Sequence, residues 1–307
     1  MKDYRNHSLL QARQYVTDEQ LEAEKGILAL DTMERRGELQ AAARGTSRRR
    51  FLGTAGLAMG AAATVGLAGC SNSSTLTTQP VGTTPTVGDV LNFALNLEYL
   101  EATFYLTLTT GTGLQQADMG GSPGAVTGGL AQVAFTDPGV QDLANQLAAD
   151  EQAHVQFLRA TLTALSITPV DMPALNLAAL GGVTSDYSFL SIARQLETTG
   201  TSAYEGGIGL LVSNLTALAY AATIHATEGQ HEGALRQYCI ANGVYSGQVD
   251  SGDVVPTASA IFNTNAGLNT SRFPNQVLQI VYAAGGALGV TKGGFYPNGM
   301  NGNIVST

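Results

Sequence analysis

The chain has no tryptophan and only two cysteines in 307 residues. Cys70 closes an apolar run near the N-terminus, so Cys239 is left without a partner and a disulfide framework is excluded. Charge is scarce, at 13% of residues, and positive charge is scarcer. From Cys70 onward, 16 aspartates and glutamates stand against five basic residues, Arg159, Arg194, Arg236, Arg272 and Lys292, a formal charge of −11. Such a field repels nucleic acid and anionic membrane surfaces and attracts cations. No nucleotide-binding glycine loop, nucleophile elbow or basic aromatic patch is present. With no disulfides, stability must come from a buried core, and roughly 220 residues suffice for one domain of that kind.

What is present begins with an export pattern. Ser47-Arg48-Arg49-Arg50-Phe51-Leu52 is followed by an uncharged run, Thr54–Gly69, of 16 residues. That is short for a spanning helix, which needs roughly 20. A basic patch, a short apolar region and small residues at its end read as an export signal. The paired arginines before Phe-Leu resemble a twin-arginine signal. Leu67-Ala68-Gly69-Cys70 resembles a bacterial lipobox, which implies lipidation of Cys70 and an anchor in the membrane. A plain uncleaved anchor or a general secretory signal is the blander reading. Residues 1–69 are therefore expected to be a signal with a long leader, in which Met1 and Met33 are alternative starts. The expected location is the periplasm or cell envelope. Residues 70–86, rich in Ser, Thr, Gly and Pro, read as a flexible tether.

Residues 87–243 carry four long segments of helical periodicity and weak strand signals. The first starts near Thr86–Asp89 and ends at Gly111, with Leu91, Leu95, Glu98, Ala102 and Tyr105 at spacings of three or four. Residues 111–137 read as a loop. Asp137-Pro138 is a helix start with proline at the first helical position, and that helix runs to about Ser166. A second loop covers 167–184, and a third helix runs from about Asp186 to Val212. Asn214 is a suitable N-cap for the fourth, which stops at Asn242-Gly243. The expectation is an all-α, four-helix bundle with a C-terminal extension, 244–307, holding one short helix between Phe273 and Ala287.

Two short strings carry the chemistry. Glu151-Gln-Ala-His154 and Glu228-Gly-Gln-His231 each place a carboxylate and an imidazole three residues apart, on one helical face. Either pair alone could be a structural hydrogen bond. Two pairs, in a chain with four histidines, are harder to explain without a metal. The first helix offers Glu98 and Glu101, and the third offers Glu197 and Glu205. Lone carboxylates in apolar helical surroundings are costly to bury unless a cation offsets them. Glu98 and Glu197 are each followed seven residues later by a tyrosine, Tyr105 and Tyr204, two turns along the same face. That spacing favours Glu98 over Glu101 as a ligand, with Tyr105 and Tyr204 supporting the ligands from behind. Glu205, beside Gly206-Gly207, reads as solvated, and Glu232 as surface. His225, three before Glu228, reads as a supporting group, a lid or a core histidine. Cys239 reads as a buried, inert thiol.

The order Glu, Glu-x-x-His, Glu, Glu-x-x-His resembles the ferritin-like superfamily. The wording of the first two helices is similar to the bacterial ferritin-like domain family that also includes plant desiccation-related proteins. The resemblance covers about 88–245, and 273–302 also looks like members of that family. It implies that Glu98, Glu151, His154, Glu197, Glu228 and His231 bind two metal ions, iron or manganese. The implied reactions are ferrous oxidation or the handling of peroxide. The long loops, large tail and tether depart from storage ferritins, whose closed shells need symmetric packing of compact subunits. The alternative is a non-enzymatic structural lipoprotein associated with stress or desiccation, with the same bundle and no redox activity.

Overall fold

The computed structural model of the protein describes residues 84–307. The signal, the tether up to residue 83 and the anchor at Cys70 lie outside those residues. Four long helices dominate: α1 (Val87–Thr110), α3 (Pro138–Ala164), α4 (Asp186–Ile208) and α5 (Leu215–Ala241). A single turn, α2 (Gln116–Met119), interrupts the stretch expected to be loop, and α6 (Pro274–Val281) lies in the C-terminal extension. A 3₁₀ turn, Gly209–Leu211, follows α4. Two-residue strands make two small ladders: β1 (Val126–Thr127) pairs parallel with β2 (Leu175–Asn176), and β3 (Thr264–Asn265) antiparallel with β4 (Leu268–Asn269). Among the described residues, no helix is long and apolar enough to cross a membrane.

Local chemistry sets the helix ends. Thr86 caps α1 in a reciprocal capping box: its hydroxyl accepts from the Asp89 N–H, and the Asp89 carboxylate accepts from the Thr86 N–H. Gly111, at φ 79°, stops the same helix. Asp137 accepts from the Gly139 N–H ahead of Pro138. Ser185 and Ser188 form a second reciprocal cap on α4, and Asn214 accepts from the Ala217 N–H to start α5.

The apolar stripe of α3 runs Val140, Ala144, Leu147, Ala148, Val155, Leu158 and Leu162, the spacing of one helical face. Helix α1 is instead buried along most of its length. It packs chiefly on α3, as α4 does on α5, and the extension closes over it. Asn96 on α1 ties that extension down. Its side chain donates to the Asn301 carbonyl (2.9 Å) and accepts from the Asn301 N–H (3.0 Å), and its carbonyl accepts from the Tyr296 hydroxyl (2.9 Å). The Arg272 N–H donates to the Ser202 carbonyl (3.0 Å), where Gly206 lets the two backbones approach without a Cβ between them. Residues 244–307 thus form a second layer on the bundle.

The short helix is briefer than the sequence suggests. Instead of running to Ala287 it ends at Val281, because the chain enters positive φ at Ala283 (53°), Gly285 (59°) and Gly286 (90°). Helix α3 likewise stops at Ala164, two residues early, as Ser166 turns to φ 60°.

Candidate metal centre

Each long helix delivers one part of a buried cluster: Glu98 from α1, Glu151 and His154 from α3, Glu197 from α4, Glu228 and His231 from α5. All four carboxylates are fully buried, and the two imidazoles are 8% and 7% exposed. His154 Nδ1 lies 3.2 Å from Glu98 Oε2, 3.1 Å from Glu151 Oε2 and 3.3 Å from Glu228 Oε1. His231 Nδ1 lies 2.9 Å from Glu151 Oε1 and 3.3 Å from Glu197 Oε2. The imidazole centroids are 5.9 Å apart. Two sets of donor atoms result, each within 4.8 Å of one another: Glu98, Glu151, His154 and Glu228 in one, Glu151, Glu197, Glu228 and His231 in the other. Glu151 and Glu228 belong to both.

These atoms are close to one another but badly arranged as hydrogen-bond partners. Glu151 Oε1, Glu197 Oε2, both Glu228 oxygens and His231 Nδ1 are buried and make no hydrogen bond. Buried polar atoms are rarely left unpaired. His154 bonds Glu98 and Glu151, but the five unpaired atoms converge on shared space that a cation would satisfy, so the donor set fits metal ions.

The protonation of the cluster follows from its crowding. Burial and then the charges of Glu98 and Glu197 raise Glu151 to about 7. Burial, with neighbouring Glu151 and Glu197, holds Glu228 well above the usual carboxylate range. Burial alone would lower the two histidines, yet the surrounding carboxylates override it. His231 rises to about 12, driven by Glu197 and Glu151, and His154 also moves far up, chiefly through Glu98. Glu98 moves the other way: burial raises it, but the His154 charge and the hydrogen bonds from His154, Glu151 and Tyr204 together lower it. Protons on the imidazoles stand where cationic charge is wanted.

The tyrosines do not bond the glutamates of their own helices; they cross. Tyr105 on α1 donates to Glu197 Oε1 on α4 (2.6 Å), and Tyr204 on α4 donates to Glu98 Oε1 on α1. Burial and the adjoining carboxylate push both phenols up, so they remain donors. Glu101 is buried outside both donor sets, and burial with four neighbouring carboxylates keeps it well above its ordinary range. It still borders the cluster: a Cβ on Gly200 would lie 3.0 Å from Glu101 Oε1 and 2.7 Å from Glu228 Oε2. His225 and Glu205 are half-buried and stand outside the donor sets, and each carries a buried atom, Nδ1 and Oε2, with no hydrogen bond. Neither the satisfied core histidine nor the solvated glutamate of the sequence reading describes them.

Glu232 is a plain correction. It is buried rather than on the surface, and accepts from Thr198 Oγ1 and Asn263 Nδ2, both at 2.8 Å. Sequence reasoning could not see Asn263, which arrives from the extension. It also passed over Asp150, whose Oδ2 lies 3.1 Å from His231 Nε2 and so orients the ring from outside. The signal was available: Asp150 directly precedes Glu151, whereas Thr227 precedes Glu228. No carboxylate pairs with the outer edge of His154 among the described residues.

A family described as "Ferritin-like domain" matches residues 86–240, half of the chain. Among characterised proteins, "Ferritin-like catalase Nec2" of Nesocodon mauritianus is 26% identical to this chain, across 71% of it and 84% of the relative.

Proposed function

The chain belongs to the ferritin-like domain family, and from that premise we propose that it is a di-metal protein that disproportionates hydrogen peroxide. Glu98, Glu151, His154, Glu197, Glu228 and His231 are the proposed ligands, with Glu151 and Glu228 shared between two ions. The observation that carries this reading is the pair of donor sets joined by those two carboxylates. Carboxylate oxygen mixed with imidazole nitrogen suits iron or manganese. The likeness to a ferritin-like catalase favours peroxide over other oxidants.

The reaction consumes two peroxides and gives one dioxygen and two waters. One peroxide gives up two electrons and two protons, and the other takes up both. When bound, the two ions supply the redox capacity that stores the two electrons between the halves. The chain's own residues supply the rest. Tyr105 and Tyr204 fix Glu197 and Glu98 by hydrogen bonds, so two carboxylates cannot swing. Asp150 holds the His231 ring. Glu101, buried at the edge of the cluster and outside both donor sets, is the proposed store for the protons that move between the halves. The apolar residues of the four helices keep bulk water from the centre.

The test is oxygen evolution from peroxide by protein loaded with ferrous or manganous ions, beside Glu101→Gln. Wild type should evolve oxygen catalytically, and Glu101→Gln should fall by about 10²-fold or more with its ion content intact. Absence of turnover in the fully loaded wild type leaves the structural alternative in its place. Export, cleavage before Cys70 and lipidation of that residue are proposed on the sequence alone. Mass spectrometry of the protein from its native host should find an acylated Cys70 at the N-terminus; an intact residue 1–47 peptide on the exported protein contradicts it.

A further inference from the structure

The two long sides of the centre are closed differently. Toward α3 and α5 the imidazoles of His154 and His231 cover it, each less than a tenth exposed. Toward α1 and α4 there is a cavity of about 100 Å³. Its walls are Leu97 and Leu100 from α1 and Leu196 and Thr199 from α4, and the extension roofs it with Ile280 and Phe295. Its floor includes Glu101 and Gly200.

Gly200 is the telling residue. It lies inside α4, where glycine weakens a helix by about 1 kcal/mol relative to alanine. Its backbone is ordinary helix, so no positive φ explains the choice. Space does: a Cβ there would come within 2.7 Å of Glu228 Oε2 and 3.0 Å of Glu101 Oε1. The bare Cα lets α4 lie directly against Glu101 and Glu228, so the cavity floor is only one backbone atom thick over a carboxylate common to both donor sets.

We propose that this cavity is the route by which a small uncharged oxidant reaches the centre, and that Gly200 keeps the wall between cavity and centre thin. The inference rests on the di-metal reading and adds to it the entry path and the class of molecule admitted. The volume of about 100 Å³ is ample for hydrogen peroxide or dioxygen. The walls are largely aliphatic, which disfavours any ion. The floor is carboxylate, which repels anions. Because the extension forms the roof, residues 244–307 set the entrance, and a bundle without them would expose this side of the centre.

Nitric oxide tests the route, being uncharged and of dioxygen size, and its binding to the ferrous protein needs no turnover. Ile280→Trp fills the cavity from its half-buried roof, away from every proposed ligand. The variant should keep the ion content of wild type and bind nitric oxide at least about tenfold more slowly in stopped-flow absorbance, a barrier change of about 1.4 kcal/mol. Xenon-pressurised crystals of wild type should show xenon in the cavity, and xenon should slow nitric oxide binding without any substitution. Unchanged binding rates, in the filled variant or in xenon-saturated wild type, overturn the route and leave the di-metal reading standing. Wild type that takes up neither iron nor manganese overturns both.

Discussion

Two clusters of buried charge share α4 and α5, and they are built on opposite terms. Arg194 lies three residues before Glu197, and Glu232 directly follows His231. In the first cluster every charged group meets a partner, and only one atom, Arg194 Nε, is buried without a hydrogen bond. Arg194 donates to both oxygens of Asp253 at 3.0 Å, and Asp253 also accepts from the Val249 N–H. Arg236 donates to the carbonyls of Ile261, Val254 and Ala260 (2.7, 2.7 and 3.0 Å). Glu232 accepts from Thr198 and Asn263. These contacts fasten the extension to the bundle and satisfy loop carbonyls that would otherwise be orphaned. In the second cluster the acids converge on one another, and five donor atoms have no hydrogen bond. Burial of charge therefore does not mark a site; burial of charge without partners does.

The largest expected effect separates the two. Arg194→Ala strands Asp253 in the interior and should cost about 3–5 kcal/mol of unfolding free energy, with or without metal. Denaturant titration of chelated and loaded protein measures both values. A loss confined to the loaded form would erase the distinction between the clusters.

Glu151→Gln should do the reverse in chelated protein. Glu151 rises from 4.5 to about 7 in the folded state, so between those values the folded chain keeps a proton that the unfolded chain has released. Its contribution to stability is therefore greatest below pH 4.5 and is lost as pH rises toward 7. Removing the acid should raise the stability of the chelated protein at pH 8 by up to about 3 kcal/mol and flatten the slope between pH 4.5 and 7. Thermal melts across that window check the sign. The same substitution should weaken metal binding, since it deletes a shared ligand.

A smaller effect distinguishes the halves of the centre. Asp150→Asn loosens His231 alone and should weaken one of the two ions about 10–100-fold, leaving the other unchanged. Competitive chelator titration should turn from one phase into two.

The smallest effect is a null one. Cys239 is fully buried, donates to the Leu190 carbonyl, and is pushed by burial to about 11. A thiol reagent should leave it unmodified until the protein unfolds.

The sequence made the helices legible because their signals are local. Thr86, Asp137 and Asn214 cap within three residues, and the stripe on α3 repeats every three or four. The Glu-x-x-His strings were legible for the same reason. What stayed hidden depends on which helices become neighbours. The tyrosine spacing pointed to Tyr105 and Tyr204 but could not show that Tyr105 reaches across to Glu197 and Tyr204 to Glu98. Glu232 looked like surface because Asn263, and the loop that Arg236 holds, reach α5 only when the extension folds over it. Helix α6 was drawn too long because the apolar pattern of 273–287 continues past the point where Ala283 turns to positive φ.

The central claim is that two metal ions share Glu151 and Glu228. Its most direct test is ion stoichiometry after loading with iron or manganese and desalting, for wild type beside His154→Ala and His231→Ala. The account predicts close to two ions per chain in wild type and the loss of at least one in each variant, with weaker binding as pH falls because protons reclaim the imidazoles and carboxylates. Wild type that binds none, or variants that both keep the full complement, would contradict it.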